Sequence, residues 1–426
     1  MKICVYGLWH LGCVTAACLA GAGFDVVGLD DDEPVVRNLQ AGNAPVSEPG
    51  LDDLLSAGVA AGKLHFTVDA RAALAGADVL WVTFDTPVND RDEADVASVR
   101  NRLEAIADAI SPGTLVLVSS QVPAGFTKSL EDAWTSRRLV FAVSPENLRL
   151  GKALDVFRTP DRVIVGLRNG QGRAVVDQLF SPFTQNVIYM SIESAEMTKH
   201  AINAFLATSV TFINEIARIC EEVGADAKEV ERGLKSEARI GPKAYLGPGA
   251  AFAGGTLARD LRFLVELGDR NRVDTPVFEG VIASNDRHKD WLRNRVSTLM
   301  QGRQGAKVAV LGLTYKPGTN TLRRSSSVEL CRWLAGQEFA VQAHDPAIET
   351  LPEELTSVMH LHGSPREAMK DASLTVIATE WPVYRTLTAD DFVSTMREVQ
   401  VIDQTWFLVS VLGNDARVKY LATGRG

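Results

Sequence analysis

The sequence predicts an α/β protein: two doubly wound domains joined by a long central helix and a helical middle domain. Three observations predict it. Short apolar runs alternate with helical stretches through the first third of the chain. The stretch Ser194 to Val223 holds neither Gly nor Pro and repeats apolar residues at helical spacing. A second strand–turn–helix opening begins at Lys307.

The elements justify the class in order. Ile3 to Tyr6 forms an apolar strand, a small-residue helix runs from about Leu11 to Ala22, and Asp25 to Leu29 forms the next strand. Further apolar runs follow at Val79–Phe84, Thr114–Val118, Leu139–Val143 and Arg162–Val165. Such a βαβ rhythm calls for a parallel sheet covered on both faces. Near Ser191 the period changes. Ile202, Phe205, Leu206, Phe212, Ile213, Ile216 and Ile219 trace a single helix longer than a doubly wound unit normally uses. Helical pattern continues to about Met300, and Gln301-Gly-Arg-Gln-Gly-Ala306 is a polar linker. The second α/β unit opens with Lys307-Val-Ala-Val-Leu-Gly312. Its next strand ends at His344-Asp345, and later strands fit Leu374–Ala378 and Val399–Ile402. The expected domains are residues 1–190, 191–300 and 307–426.

Composition limits the partners. Of 426 residues, 46% are hydrophobic and 23% charged, which is ordinary globular usage with apolar material for several cores. The net charge of −9 offers nucleic acid no basic stripe and makes an anionic membrane surface a poor partner. Met1 leads directly into a strand, and no apolar run is long enough to span a membrane, so neither a secretory leader nor an anchor is expected. The cysteines, Cys4, Cys13, Cys18, Cys220 and Cys331, are odd in number and lack metal-ligand spacing. Free thiols in a reducing cytoplasm, and no metal, are the expectation.

Gly7-Leu-Trp-His-Leu-Gly12 joins the first strand to the first helix, and Asp30 closes the second strand 18 residues after Gly12. A dinucleotide-binding, Rossmann-like fold needs this arrangement: a helix N-terminus facing the pyrophosphate and an acid for the adenine ribose. The acid favours NAD, because it would repel the extra phosphate of NADP. Trp9 stands where the second glycine of the fingerprint belongs. The cofactor-binding set is Gly7, Trp9, His10, Leu11, Gly12 and Asp30. His10 is expected in the loop rather than in catalysis, Cys13 and Cys18 as packing residues, and Asp30–Asp32 alternatively as a solvated acidic turn.

Further segments then appear in a fixed order: Glu48-Pro-Gly-Leu51, Ser144-Pro-Glu-Asn-Leu-Arg149, Pro160-Asp-Arg-Val-Ile-Val-Gly166, and Ala195-Glu-Met-Thr-Lys199 with Asn203. They are followed by Arg239-Ile-Gly241, Gly254-Gly255 with Asp260, Gly312-Leu-Thr-Tyr-Lys-Pro-Gly-Thr319 with Arg323, and Ala378-Thr-Glu-Trp381. In this order and spacing the chain resembles the UDP-glucose/GDP-mannose dehydrogenase family over nearly its whole length. The resemblance implies an N-terminal NAD domain, a C-terminal domain for a UDP- or GDP-linked sugar, and a homodimer formed through the central helix. It also implies two successive oxidations at C6, the second through a cysteine thioester.

The same resemblance implies roles. Lys199 and Asn203, four apart and so on one helix face, steady an oxyanion and water beside C6. Asp260 handles the hydroxyl proton, and Glu146 lies near the sugar as a water-positioning base. His200 points elsewhere. Leu148, Arg149, Phe252, Gly254, Lys316 and Arg323 form the substrate-binding set, with Arg323 on phosphate.

The departures gather around covalent chemistry. Thr256 falls on the nucleophilic cysteine, and a threonine hydroxyl without an adjacent base is hardly ionised. The expectation for Thr256 is an N-cap of the helix toward Leu264. Gln121 stands for a threonine, Leu150 for a second glutamate, and Asp403-Gln-Thr-Trp406 for Asp-x-Arg-Asn. One NAD-dependent oxidation of a nucleotide sugar is the favoured function. A complete two-step enzyme and a non-catalytic binding homologue are the alternatives, and cofactor reduced per sugar separates the three.

Overall fold

The computed structural model describes residues 1–426 except 88, 90–93, 147, 253–254 and 426. The chain divides into two compact units, Met1–Ile202 and Asn203–Gly426.

The first unit is built on eight strands: β1 Lys2–Tyr6, β2 Asp25–Leu29, β3 Leu64–Thr67, β4 Val79–Val82, β5 Leu115–Val118, β6 Val140–Val143, β7 Val163–Leu167 and β8 Val187–Met190. Their order is β3-β2-β1-β4-β5-β6-β7-β8. Every residue of β4 and β5 is buried, as expected of central strands covered on both faces. Register at the carboxyl edge sets Tyr6 against both Leu29 and Val82, so β1 ends between two neighbours and delivers the Gly7 turn there. The helix His10–Gly21 follows, and its small residues let it lie close on the sheet, with Cys13 and Cys18 in that core.

The sheet departs from the expected all-parallel form at one pair, because β7 runs antiparallel to β6. Among its described residues the connection between them carries only the six-residue helix Ala153–Arg158. It leaves the chain at the carboxyl end of β6 instead of returning it, and a parallel pair needs that return.

The central helix spans Ile192–Val223, 32 residues, and passes through the boundary between the units. In the second unit it is followed by helices Ala227–Ser236, Thr256–Asn271 and Pro276–Leu299. Six parallel strands complete that unit: β9 Lys307–Leu311, β10 Ala340–His344, β11 His360–Leu361, β12 Leu374–Ile377, β13 Gln400–Asp403 and β14 Lys419–Leu421. Their order, β11-β10-β9-β12-β13-β14, repeats the order of the first six strands of the first unit. Among the described residues no helix is long and apolar enough to cross a membrane.

Candidate functional site

The turn after β1 is shaped by close approach. A methyl group at Gly12 would lie 1.9 Å from the Gly7 carbonyl oxygen and 2.9 Å from Thr83 Oγ1, so only glycine fits. Gly7 has φ +102°, which favours glycine again. Trp9 is extended (φ −91°, ψ −155°) with a side chain 41% exposed, so the turn closes without the second glycine. Asp30 is buried and accepts N–H bonds from Leu8 at 2.6 Å and Asp32 at 3.1 Å. The neighbouring acids have separate tasks: Asp31 accepts the Tyr6 hydroxyl and Asp32 caps the helix Glu33–Gln40. The triplet is therefore not a merely solvated turn. A glycine turn, the start of a 12-residue helix and an acid at the end of β2 together suit a dinucleotide.

His10 corrects the loop expectation. It is the first residue of its helix, and its Nε2 meets Glu48 at 2.8 Å. Glu48, buried, also accepts the Gly151 and Ala153 N–H groups at 2.8 Å each. One carboxylate thus ties the cofactor helix to the segment that follows Arg149. Leu11 is half-buried beside these residues.

Lys199 donates to the Glu146 carbonyl at 2.7 Å and lies 3.3 Å from its carboxylate, whose other oxygen accepts the Leu148 N–H at 2.8 Å. Glu146 and Lys199 line a small cavity with Gln121, Glu196 and His200. His200 turns its Nε2 to the Val122 carbonyl at 3.1 Å, away from Lys199 chemistry. Glu196 caps a neighbouring helix by accepting the Gly125 and Thr127 N–H groups, and burial raises its carboxyl above the usual range. Leu148 packs on the sheet core and Arg149 is exposed.

One turn farther along the central helix, in the second unit, buried Asn203 donates to Asp260, whose side chain is fully buried. Asp260 sits on the helix Thr256–Asn271. The N-cap expectation for Thr256 fails. Gly255 occupies the cap with φ 107° and ψ −121°, a conformation open to glycine, and Thr256 is the first helical residue, exposed and without a capping bond. Phe252, half-buried, gives its N–H to Asn285 at 2.9 Å. Gly254 lies outside the described residues. Lys316 is half-buried and Arg323 exposed, both between β9 and the helix Ser326–Gly336.

The thiols are remote from this chemistry in kind. All five are buried, and burial pushes Cys4, Cys18 and Cys331 up to about 12 and raises Cys13 and Cys220. Such thiols are protonated and poor nucleophiles near neutrality. Among the described residues no cluster of His, Cys, Asp and Glu could hold a metal.

Glu48, Asn214, Asn285 and His288 went unrecognised as polar anchors in the sequence. Each bonds backbone distant in the chain, so no local pattern marked it.

The chain matches three models of the UDP-glucose/GDP-mannose dehydrogenase family: the NAD binding domain over residues 1–184, the central domain over 193–287 and the UDP binding domain over 309–408. It is 34% identical over 421 residues to a UDP-glucose 6-dehydrogenase of Pseudomonas aeruginosa, covering 95% of this chain and 93% of that one. It is 35% identical over 416 residues to a UDP-glucose 6-dehydrogenase of Rhizobium meliloti, covering 95% and 94%. A solved UDP-glucose dehydrogenase from Pyrobaculum islandicum superposes with TM-score 0.84 at 29% identity, covering 94% of this chain and 93% of that one.

Proposed function

As a member of the UDP-glucose/GDP-mannose dehydrogenase family the chain is an NAD-dependent nucleotide-sugar dehydrogenase, and we propose that it oxidises one alcohol of a nucleotide hexose, at C6, without a covalent thioester. The observation that carries this reading is Thr256, an exposed hydroxyl at the start of its helix, in a chain whose five thiols are buried. The matched UDP binding domain and the relatives' names support a UDP-hexose, with a GDP-hexose as the other candidate.

Gly7, Trp9, His10, Leu11, Gly12 and Asp30 would hold NAD. When bound, NAD accepts the hydride that leaves the substrate carbon. The chain's own residues manage the rest. Asp260 takes the hydroxyl proton, held for that task by the Asn203 amide. The Lys199 ammonium stabilises the negative charge that grows on the oxygen as its proton leaves. The C–H pair departs as hydride, the C=O bond forms, and the product is an aldehyde with one reduced cofactor. Phe252, Gly254, Leu148 and Arg149 would contact the sugar and its diphosphate, and Lys316 with Arg323 the phosphates.

A second hydride requires a tetrahedral adduct. Among the described residues none is bonded to the Thr256 hydroxyl as a base, Glu146 is engaged by Lys199 and the Leu148 N–H, and Gln121 and Leu150 supply no carboxylate or hydroxyl. We also propose a cytoplasmic homodimer with functional domains 1–190, 191–300 and 307–426. The central helix exposes Phe205 (70%), Phe212 (46%), Ile219 (58%) and Val223 (70%), spaced seven, seven and four apart on one face.

The test is stoichiometry. Incubation with NAD and UDP-glucose or GDP-mannose should yield one reduced cofactor per sugar and an aldehyde by mass. Two per sugar with a carboxylate would mean complete oxidation and refute the proposal. None with any UDP- or GDP-sugar would refute catalysis.

A further inference from the structure

Residues 249–252, ahead of the Thr256 helix, are held by side chains. Asn214 of the central helix accepts the Gly249 N–H at 2.9 Å and donates to the Ala250 carbonyl at 3.2 Å. Asn285 of the helix Pro276–Leu299 accepts the Phe252 N–H at 2.9 Å and donates to the Phe252 carbonyl at 3.0 Å. His288, one turn on, meets the Gly249 carbonyl with Nε2 at 2.8 Å. A carbonyl can only accept, so Nε2 carries the proton. The three side chains are 2%, 3% and 2% exposed.

Burying two amides and an imidazole between helices is costly unless they are hydrogen-bonded, at about 1–3 kcal/mol for each group left unsatisfied. Here all three bond to the backbone of a four-residue span, residues 249–252, while the buried Nδ1 of His288 has no partner among the described residues. The central helix grips the same region twice. Asn203 and Asn214 are 11 residues apart, close to three full turns, so they lie on one stripe of the helix. Asn203 holds Asp260 and Asn214 holds Gly249. Residues 249–250 and Asp260 are therefore both held by one rigid element, and residues 249 and 252 also by a second helix.

We propose that Asn214, Asn285 and His288 are positioning residues for the substrate loop: they fix the backbone of residues 249–252 before substrate arrives, and so set the placement of Phe252. This rests on the reading of that loop as part of the substrate site. A non-covalent oxidation depends on such fixing, because no covalent bond holds the sugar, and misplacement on the order of an ångström costs about a hundredfold in rate.

The discriminating pair is His288→Leu, which removes the donor to Gly249, and His288→Gln, whose amide nitrogen replaces Nε2. In the intact protein, His288→Leu should lower kcat by about tenfold or more with KM for NAD and nucleotide sugar within about twofold. His288→Gln should stay near the parent, and both should melt within a few degrees of it. Should His288→Leu fail to fold, Asn214→Asp and Asn285→Asp take its place. Each keeps the acceptor for a loop N–H and loses the donor to a loop carbonyl, and each should show the same kcat loss. An unchanged kcat in a folded loss-of-donor variant overturns the proposal, as does an equal loss in His288→Gln. If the parent transfers no hydride to NAD from any UDP- or GDP-sugar, the functional reading fails, and amide exchange decides the brace. The Gly249–Phe252 amides must then exchange at least about tenfold faster in the loss-of-donor variant than in the parent; equal rates overturn it.

Discussion

Replacing Thr256 by alanine separates two physical pictures of the same residue. As an N-cap, the threonine side chain would satisfy an orphan N–H, and its loss would cost about 1 kcal/mol. In the structure Gly255 is the cap and Thr256 the first helical residue, exposed and with no capping bond. Alanine then only exchanges a β-branched residue for a better helix former, a gain of up to about 0.5 kcal/mol. For a unit of about 200 residues, 1 kcal/mol moves Tm by about 2–4 °C. The expected shift is therefore about +1 °C, against about −2 to −4 °C for a lost cap. Calorimetry reads the sign, and stopped-flow absorbance of the reduced nicotinamide reads the first hydride transfer, which should stay within about threefold of the parent. A drop of Tm by the capping amount, or a slowing beyond about tenfold, would refute the reasoning.

The other predictions are brief. Thr256→Cys places a thiol at the start of a 16-residue helix, where the dipole lowers its pKa; intact-protein mass should show a sugar adduct with substrate and NAD, more fully when Leu150→Glu is added. Phe212→Glu puts a charge in the middle of the exposed stripe of the central helix; light scattering at micromolar concentration should show monomer, whereas the parent is dimeric. Burial holds His288 below its ordinary value, with Arg218 lowering it further and Glu221 and the Gly249 carbonyl opposing. Its unfolded form binds a proton more readily, so its stabilisation is complete above about pH 6.5 and lost as pH falls through the folded pKa. Denaturation midpoints from pH 8 toward 5.5 should therefore fall less steeply in His288→Gln than in the parent, and parallel curves would exclude His288 as the cause.

What the sequence disclosed follows burial and range. Strands β4 and β5 are buried at every residue and stood out as continuous apolar runs. The edge strands His360–Leu361 and Lys419–Leu421 did not, because two or three half-exposed residues leave no period to detect. The reversed direction of β7 depends on where a connection ends, which no local pattern records. At the site, the Gly7–Gly12 turn was legible because its geometry is local. Lys199 with Glu146, 53 residues apart, and Asn203 with Asp260, 57 apart, were legible as residue types only through the resemblance; composition cannot name a partner at that range. The start of the Thr256 helix was misjudged because threonine and glycine are about equally preferred as caps, so preference could not choose between neighbours, whereas the backbone at Gly255 takes a positive φ that preference does not weigh.

The two sheets share one device but use it differently. Gly7 and Gly312 both have positive φ, +102° and +98°, and in each unit the acid ending the next strand accepts the N–H of the following leucine: Asp30 from Leu8, Asp345 from Leu313. A carboxylate has about four acceptor positions. Asp345 accepts the N–H groups of Leu313 and Thr314, the Thr314 hydroxyl and the Trp381 indole at Oδ2, which is thereby saturated, and the Ala347 N–H at Oδ1. Asp30 receives the Leu8 and Asp32 N–H groups, which leaves it lone pairs for a ribose. The same turn is therefore tied by more donors in the second unit than in the first, where Asp30 is the acid proposed to contact the cofactor. Asp345→Asn should act on folding, because an amide at that position puts a donor against donors, and should lower Tm by several degrees. Asp30→Asn keeps an oxygen for Leu8 but removes the charge that disfavours the phosphate of NADP, so its effect should appear in cofactor choice. Calorimetric titration should show NAD binding weakened by about tenfold and the NAD-to-NADP preference narrowed. Unchanged preference in Asp30→Asn, or weakened NAD binding in Asp345→Asn at full folding, would mean that the acid of the first unit is a structural tie as well and that cofactor selection lies elsewhere.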